Sequence, residues 1–204
     1  MKKVYLIFMA LCVWFSAAAH AELEKQFMRF YVPDCTGSPF PVAVDTYIVI
    51  LEDGQMYLKT RANFPYNAAE YSYYQKYAIP KGNELYFKLD NEKIITLVCS
   101  ADNSVVDGYI TTENGVYQKY ADYSYFPIDA AVIDYLETYN IVKVRGRFKF
   151  EIMDGSMQFT PKSDVPETKN SFKQAEASVR KQYSETKSEA DKQKALKENP
   201  LIGF

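Results

Sequence analysis

Alternation of apolar and polar residues dominates the chain from about residue 47 to residue 160, and it predicts antiparallel β structure. Residues 47–52 meet 55–60 across Asp53-Gly54, and 85–90 meet 93–99 across Asn91-Glu92. Further on, 109–113 meet 116–120 across Asn114-Gly115, and 148–153 meet 156–160 across Asp154-Gly155. Asp-Gly and Asn-Gly suit a two-residue hairpin loop because its central residues need positive φ. The first two hairpins share one pattern, with 48–58 lying over 87–97. One helix interrupts the strands. Asp129 suits its N-cap, Ile128 and Ile133 form a hydrophobic staple, and Val132, Leu136 and Tyr139 share a face. Pro127 keeps the entering chain extended and Asn140 marks the stop. The expected fold is therefore mainly β, a β-sandwich or a curved antiparallel sheet of hairpins, with one short helix at about 129–139.

The period changes near Pro161. From there the chain is rich in Lys, Glu, Gln, Ser and Ala, and a charged C-terminal helix is expected at about 165–198. Asp164 suits its cap, Pro166 its first turn and Glu167 its capping box. Phe172, Val179 and Tyr183 give a thin apolar stripe, too narrow to bury a full face, so a largely solvated helix is expected. Pro200 ends it before an apolar tip, Leu201-Ile202-Gly203-Phe204.

The N-terminus has a different logic. Lys2 and Lys3 precede an uncharged apolar run to Phe15, followed by small residues ending in the A-x-A site at Ala21. This is the order of a cleavable signal peptide, assigned to 1–21. The apolar run falls short of the roughly 20 residues that span a bilayer. Three segments follow: the signal peptide at 1–21, a β-rich domain at 22–161 and a charged helical extension at 162–204. No later stretch has spanning length, so no membrane insertion is expected after signal removal. The protein is expected to be exported, periplasmic or extracellular in a bacterium.

Export changes the chemistry that composition allows. The chain has one histidine and one tryptophan, His20 and Trp14, and both leave with the signal. Cys12 leaves too, so Cys35 and Cys99 remain as an even pair, expected to form a disulfide in an oxidising compartment. The net charge is −2 before cleavage and becomes more negative without Lys2 and Lys3. That balance lacks the basic footprint of a nucleic-acid binder.

Without histidine, Ser-His-Asp and Cys-His catalysis and histidine zinc sites are excluded, and no metal or cofactor is expected. Ser178-Val179-Arg180-Lys181 and Ser184-Glu185-Thr186-Lys187 match S-x-x-K, but they lie in a Ser/Lys-rich helix with no K-T-G downstream. Carboxylate catalysis survives, because glycoside hydrolysis needs only two acids at the right separation. Asp45, Glu52, Asp90, Asp102, Asp107, Asp122 and Asp134 are available, and no spacing selects a pair.

Two features rise above this background. Along 142–152, Lys143, Arg145, Arg147 and Lys149 occupy one strand face and Val142, Val144, Phe148, Phe150 and Ile152 the other. Four cations in a row call either for acids across the sheet, for an edge position, or for an anionic ligand. The second is tyrosine, 18 in the chain. Tyr66, Tyr71, Tyr73, Tyr74 and Tyr77 crowd a segment between hairpins, and Tyr117, Tyr120, Tyr123 and Tyr125 crowd another. Tyrosine joins an apolar face to a polar tip, which suits sugar rings and extended peptides as well as cross-strand packing.

Phe126-Pro127-Ile128-Asp129, the short helix and Ile141-Val142-Lys143-Val144-Arg145 together resemble a segment, over about 126–150, of uncharacterised exported β-rich proteins of anaerobic gut-type bacteria. The likeness implies packing and transfers no activity. The sequence thus points to an exported non-catalytic binding or interaction module, recognising glycan or peptide through a Tyr-rich surface. The alternatives are a structural or assembly subunit using the C-terminal helix and a carboxylate-based glycoside hydrolase. A glycan or protein partner fits, and the oligomeric state stays open.

Overall fold

The computed structural model describes residues 23–32, 42–51, 53–66, 78–112, 115–149, 154–159 and 167–198. The expected signal peptide, Cys35, Tyr71, Tyr73, Tyr74, Tyr77, Asp164 and Pro166 lie outside the described residues. So do the side chains of Tyr66, Tyr117, Tyr120, Arg147 and Lys149. The fold is mainly β. Strands β1 (Leu23–Val32), β2 (Val42–Ile50), β3 (Met56–Tyr66), β6 (Ala101–Thr112) and β7 (Gly115–Pro127) form a five-stranded sheet in the order β1-β2-β3-β7-β6. Strands β4 (Glu84–Leu89), β5 (Ile94–Val98), β8 (Ile141–Lys149) and β9 (Asp154–Phe159) form a second sheet in the order β5-β4-β8-β9. All neighbours pair antiparallel. Helix α1 (Ala130–Thr138) carries the chain from β7 to β8, and α2 (Thr168–Glu198) follows β9.

One apolar cluster joins both sheets and both helices. The five-stranded sheet contributes Val44, Ile48, Ile50, Leu58 and Phe126, the four-stranded sheet Leu85, Phe87, Leu89, Ile95, Leu97 and Val144, and the helices Leu136, Phe172, Ala175 and Val179. The alternation read from sequence is the cause. In β4, Leu85, Phe87 and Leu89 are buried while Glu84, Tyr86 and Lys88 point away, and β5 alternates in the same way.

The first two hairpins turn alike, but not through a two-residue loop. Gly54 N–H donates to Leu51 O, and Glu92 N–H to Leu89 O. Gln55 N–H donates to Asp53 Oδ1, and Lys93 N–H to Asn91 Oδ1. Gly54 and Glu92 are the residues at positive φ, +82° and 68°. Each loop has three residues and is closed by one left-handed residue, the next most common hairpin solution. The equivalence runs Leu51 to Leu89, one residue away from the register that the sequence pattern suggests. The last hairpin also shifts. Asp154 and Gly155 do not form its turn but open β9, opposite Lys149 and Phe148.

Helix α1 starts as expected: Asp129 accepts from Val132 N–H at 2.9 Å. Asn140, after its end, fastens three elements. Its carbonyl accepts from Asp90 N–H, its amide donates to Asp90 Oδ2, and its side-chain oxygen accepts from Lys169 N–H. Helix α2 is not wholly solvated. Thr168, Phe172, Ala175 and Val179 are buried, and Phe172 meets the Phe27 ring edge-on at 5.3 Å. Beyond Tyr183 the described residues 184–194 are exposed. The first half of α2 thus belongs to the same apolar core as the strands. No described helix is long and apolar enough to cross a membrane.

The cystine expected between Cys35 and Cys99 is not seen. Cys99 is a free, buried thiol at the end of β5, and its Sγ donates to Ala101 O at 3.1 Å. Burial is the main cause that raises the Cys99 pKa above its ordinary 9.0, so the thiol is held neutral.

Candidate functional site

The cationic row of β8 lies on the outward face of the four-stranded sheet. Lys143 and Arg145 are exposed there, alternating with buried Val144 and Gly146. Val142 does not share the buried face. Between Lys88↔Lys143 and Leu89↔Ile141 the register slips, so Ile141 fills the core position and Val142 is left 37% exposed.

No acid stands across from the described part of this row near Lys143 and Arg145. Strand β8 lies between β4 and β9 in the sheet order, and β9 flanks it from Val144 to Lys149. Directly across from Lys143 stands Lys88, and across from Arg145 stand Tyr86 on β4 and Gln158 on β9. Further along, Arg147 lies at the register position of Ser156 and Lys149 at that of Asp154. Like charges directly opposite destabilise a sheet by a few tenths of a kcal/mol up to about 1. Lys88 is relieved by Glu92 in the adjacent turn, and Tyr86 OH donates to Glu84.

The same face continues onto β5 with a different character. Ile94 and Val98 are 58% and 50% exposed, with exposed Thr96 between them. The rows across the sheet thus read Ile94–Lys88–Lys143 and Thr96–Tyr86–Arg145. The third row is Val98–Glu84, so the face is aliphatic along β5 and carries three cations, Lys88, Lys143 and Arg145, beside one acid, Glu84.

The outward face of the five-stranded sheet carries a second polar ladder, which sequence reasoning missed. Arg29, Asp45, Arg61 and Tyr123 stand opposite one another across four strands, and Tyr47, Lys59 and Tyr125 across three. Asp45 accepts from Arg29 Nε at 2.5 Å, from Arg29 Nη2 at 3.2 Å and from Gln26 Nε2 at 2.9 Å. The hydrogen bond to Asp45 raises the Arg29 pKa, and burial raises that of Tyr47. Lys59 is only 5% exposed. Its ammonium donates to Glu24 at 2.7 Å and lies 4.5 Å from the centre of the Tyr123 ring and 5.5 Å from that of Tyr125. Charge is paired and desolvated here, so the ladder reads as a fastening between strands. Alternation alone places Lys59 and Arg61 on one face, but only tertiary structure brings Glu24 and Asp45 to them.

The candidate carboxylates are mostly spent on structure. Asp45 holds Arg29, Asp90 accepts from Asn140, Asp102 accepts from Lys81 N–H, and Asp122 is buried at 1% exposure between strands. Asp134 is exposed on α1. The side chains of Glu52 and Asp107 lie outside the described residues. Among the described residues no group of His, Cys, Asp and Glu is placed to hold a metal ion. No protein-family model, curated protein or solved structure matches this chain.

Proposed function

We propose that the protein is an exported, non-catalytic binding module that takes an extended anionic ligand across the outward face of its four-stranded sheet. The observation that carries this reading is exposed Lys143, set directly across from Lys88, with exposed Arg145 one row on where β8 lies between β4 and β9. That arrangement opposes the sheet's own stability, and a bound anion relieves it. Arg145 and half-buried Tyr86 extend the same surface by one row, adding a planar donor fork and a ring.

Retention on a heparin resin tests the reading. The chain is acidic overall, so retention requires a local patch. The double variant Lys143→Glu, Arg145→Glu is expected to run through in loading buffer. A control with the same charge change on the exposed half of α2, Lys187→Glu with Lys194→Glu, is expected to elute at nearly the wild-type salt concentration. Equal losses in both variants would assign retention to net charge and sink the proposal.

A second reading, a structural or assembly role, is supported by the exposed half of α2 beyond Tyr183. Light scattering on the chain ended after Tyr183 tests it. An unchanged mass and unchanged capture of partners removes it.

A further inference from the structure

The outward face ends on β5, whose free edge has properties that the cationic row does not explain. Strand β5 has one hydrogen-bonded neighbour, β4. Leu89 N–H donates to Lys93 O, and Cys99 N–H donates to Asn83 O. In an antiparallel ladder a residue's N–H and C=O point the same way, and the direction reverses with each residue. Lys93, Ile95, Leu97 and Cys99 therefore turn their backbone groups toward β4. Ile94, Thr96 and Val98 turn theirs to the open edge, each offering one N–H and one C=O. Among the described residues no backbone hydrogen bond reaches them.

Edges of this kind are ordinarily blunted by proline, lysine, bulges or a covering element. The segment Ile94-Ile95-Thr96-Leu97-Val98 has no proline and no charge, and its register with β4 runs unbroken. The residues whose backbone is open are also those whose side chains are exposed: Ile94, Thr96 and Val98. An unprotected β-branched edge is an aggregation hazard unless another strand occupies it.

We infer that the free edge of β5 is a strand-addition site for an extended acidic peptide of another protein. The inference rests on the binding-module reading above and names the ligand of that face. Main-chain bonds to Ile94, Thr96 and Val98 hold the peptide. Its apolar side chains cover Ile94 and Val98. Its carboxylates meet a net positive field, because Lys88, Lys143 and Arg145 outnumber Glu84 on this face. A basic peptide meets the same edge with like charges, and a polysaccharide lacks the alternating N–H and C=O groups that the edge bonds.

The probe is a fluorescein-labelled heptapeptide alternating valine and glutamate, followed by anisotropy. Thr96→Pro is the discriminating variant. It removes a donor that points to the open edge and spares the β4 ladder, since a proline is tolerated where the N–H faces solvent. Binding is expected to weaken at least tenfold in Thr96→Pro, and as much for a probe N-methylated at alternate residues or for one with lysine in place of glutamate. Heparin retention is expected to survive Thr96→Pro. Val98→Lys, a charge placed on the edge, serves if Thr96→Pro melts early, with the same tenfold loss expected.

Wild-type affinity in both edge variants, or for the N-methylated probe, overturns the strand-addition site. If heparin retention still depends on Lys143 and Arg145 in that case, the module reading stands and only its peptide ligand fails. Loss of both retention and peptide binding by wild type sinks the module itself. A doubled mass that Thr96→Pro abolishes assigns the edge to a second copy of the chain and overturns the peptide.

Discussion

Truncation and substitution in α2 separate a helix that belongs to the core from one that merely follows it. Phe172 is 1% exposed, lies in the same cluster as Ile48 and Leu85, and stands edge-on to Phe27. Replacing such a ring with alanine costs about 3–5 kcal/mol, out of roughly 5–15 for a whole domain. At about 2–4 °C per kcal/mol for a chain of this size, Phe172→Ala lowers Tm by roughly 6–20 °C. Ending the chain after Glu167 removes both Phe172 and Val179 from the core. At about 1.5–3 kcal/mol per fully buried side chain, the loss is on the order of 3–6 kcal/mol, before the bared surface of β1 is counted. Ending it after Tyr183 removes only residues that are exposed wherever described, and surface changes of that kind stay within about 0.5 kcal/mol. The assay is a thermal melt followed by near-ultraviolet circular dichroism, where tyrosines report the core because the lone tryptophan, Trp14, lies in the expected signal segment. A Phe172→Ala shift below about 2 °C, or equal melts for the two truncations, refutes the placement of α2 in the core.

Three further outcomes are expected. Glu92 adopts φ 68°, where a Cβ costs about 1–2 kcal/mol, and its ion pair with Lys88 is solvent-exposed, so Glu92→Gly raises the midpoint of urea unfolding by about 1 kcal/mol equivalent; no gain refutes the strain. Lys59→Met strands Glu24, which keeps 29% of its side-chain surface in water, and costs about 1–3 kcal/mol; adding Glu24→Gln restores part of it, and a double-mutant cycle without coupling rejects the pairing. Cys99 has a folded pKa raised above 9.0, so the unfolded state gives up its proton first and folding stability falls as pH rises from 9 toward the folded value; Cys99→Ala flattens that decline in urea melts taken between pH 8 and 10, and an unchanged slope argues against a buried neutral thiol.

The parts of the fold legible in the sequence are those fixed by local periodicity. Burial alternates along β4 and β5 as the residues do, and Asp129 caps α1 because an Asp side chain before an apolar stripe has little else to bond. Turn chemistry was less legible. Asp53-Gly54 invites a two-residue loop, yet Leu51 and Gln55 pair, and the loop lengthens by one residue. Glu92 shows why: the same turn is built without glycine at all, so the dipeptide is a preference and the strand register decides. Strand β8 was legible in its charges and not in its place. Nothing local says that Ile141 will seat opposite Leu89 and expel Val142, because that slip depends on a strand more than fifty residues earlier in the chain.

The thin stripe on α2 shows a similar limit. Read alone, Phe172, Val179 and Tyr183 are too few to bury a helix. Packed against β1, where the extra residue at the Gln26/Met28 register shift turns Phe27 into the core, the same three residues suffice for four turns. The bulge and the stripe are complementary, and neither predicts the other. The same reasoning bears on the outward face of the four-stranded sheet. Its cationic row and its aliphatic edge come from segments some fifty residues apart, and each read alone has an ordinary explanation. Set side by side, they remove each other's explanation. The cationic row does not guard the edge, because β8 lies two strands in from it, and the edge residues do not pack, because half their surface meets solvent. A ligand that is extended, acidic and able to bond a strand answers both features at once, and this is why blocking one backbone N–H at Thr96 tests more of the reasoning than removing any single charge.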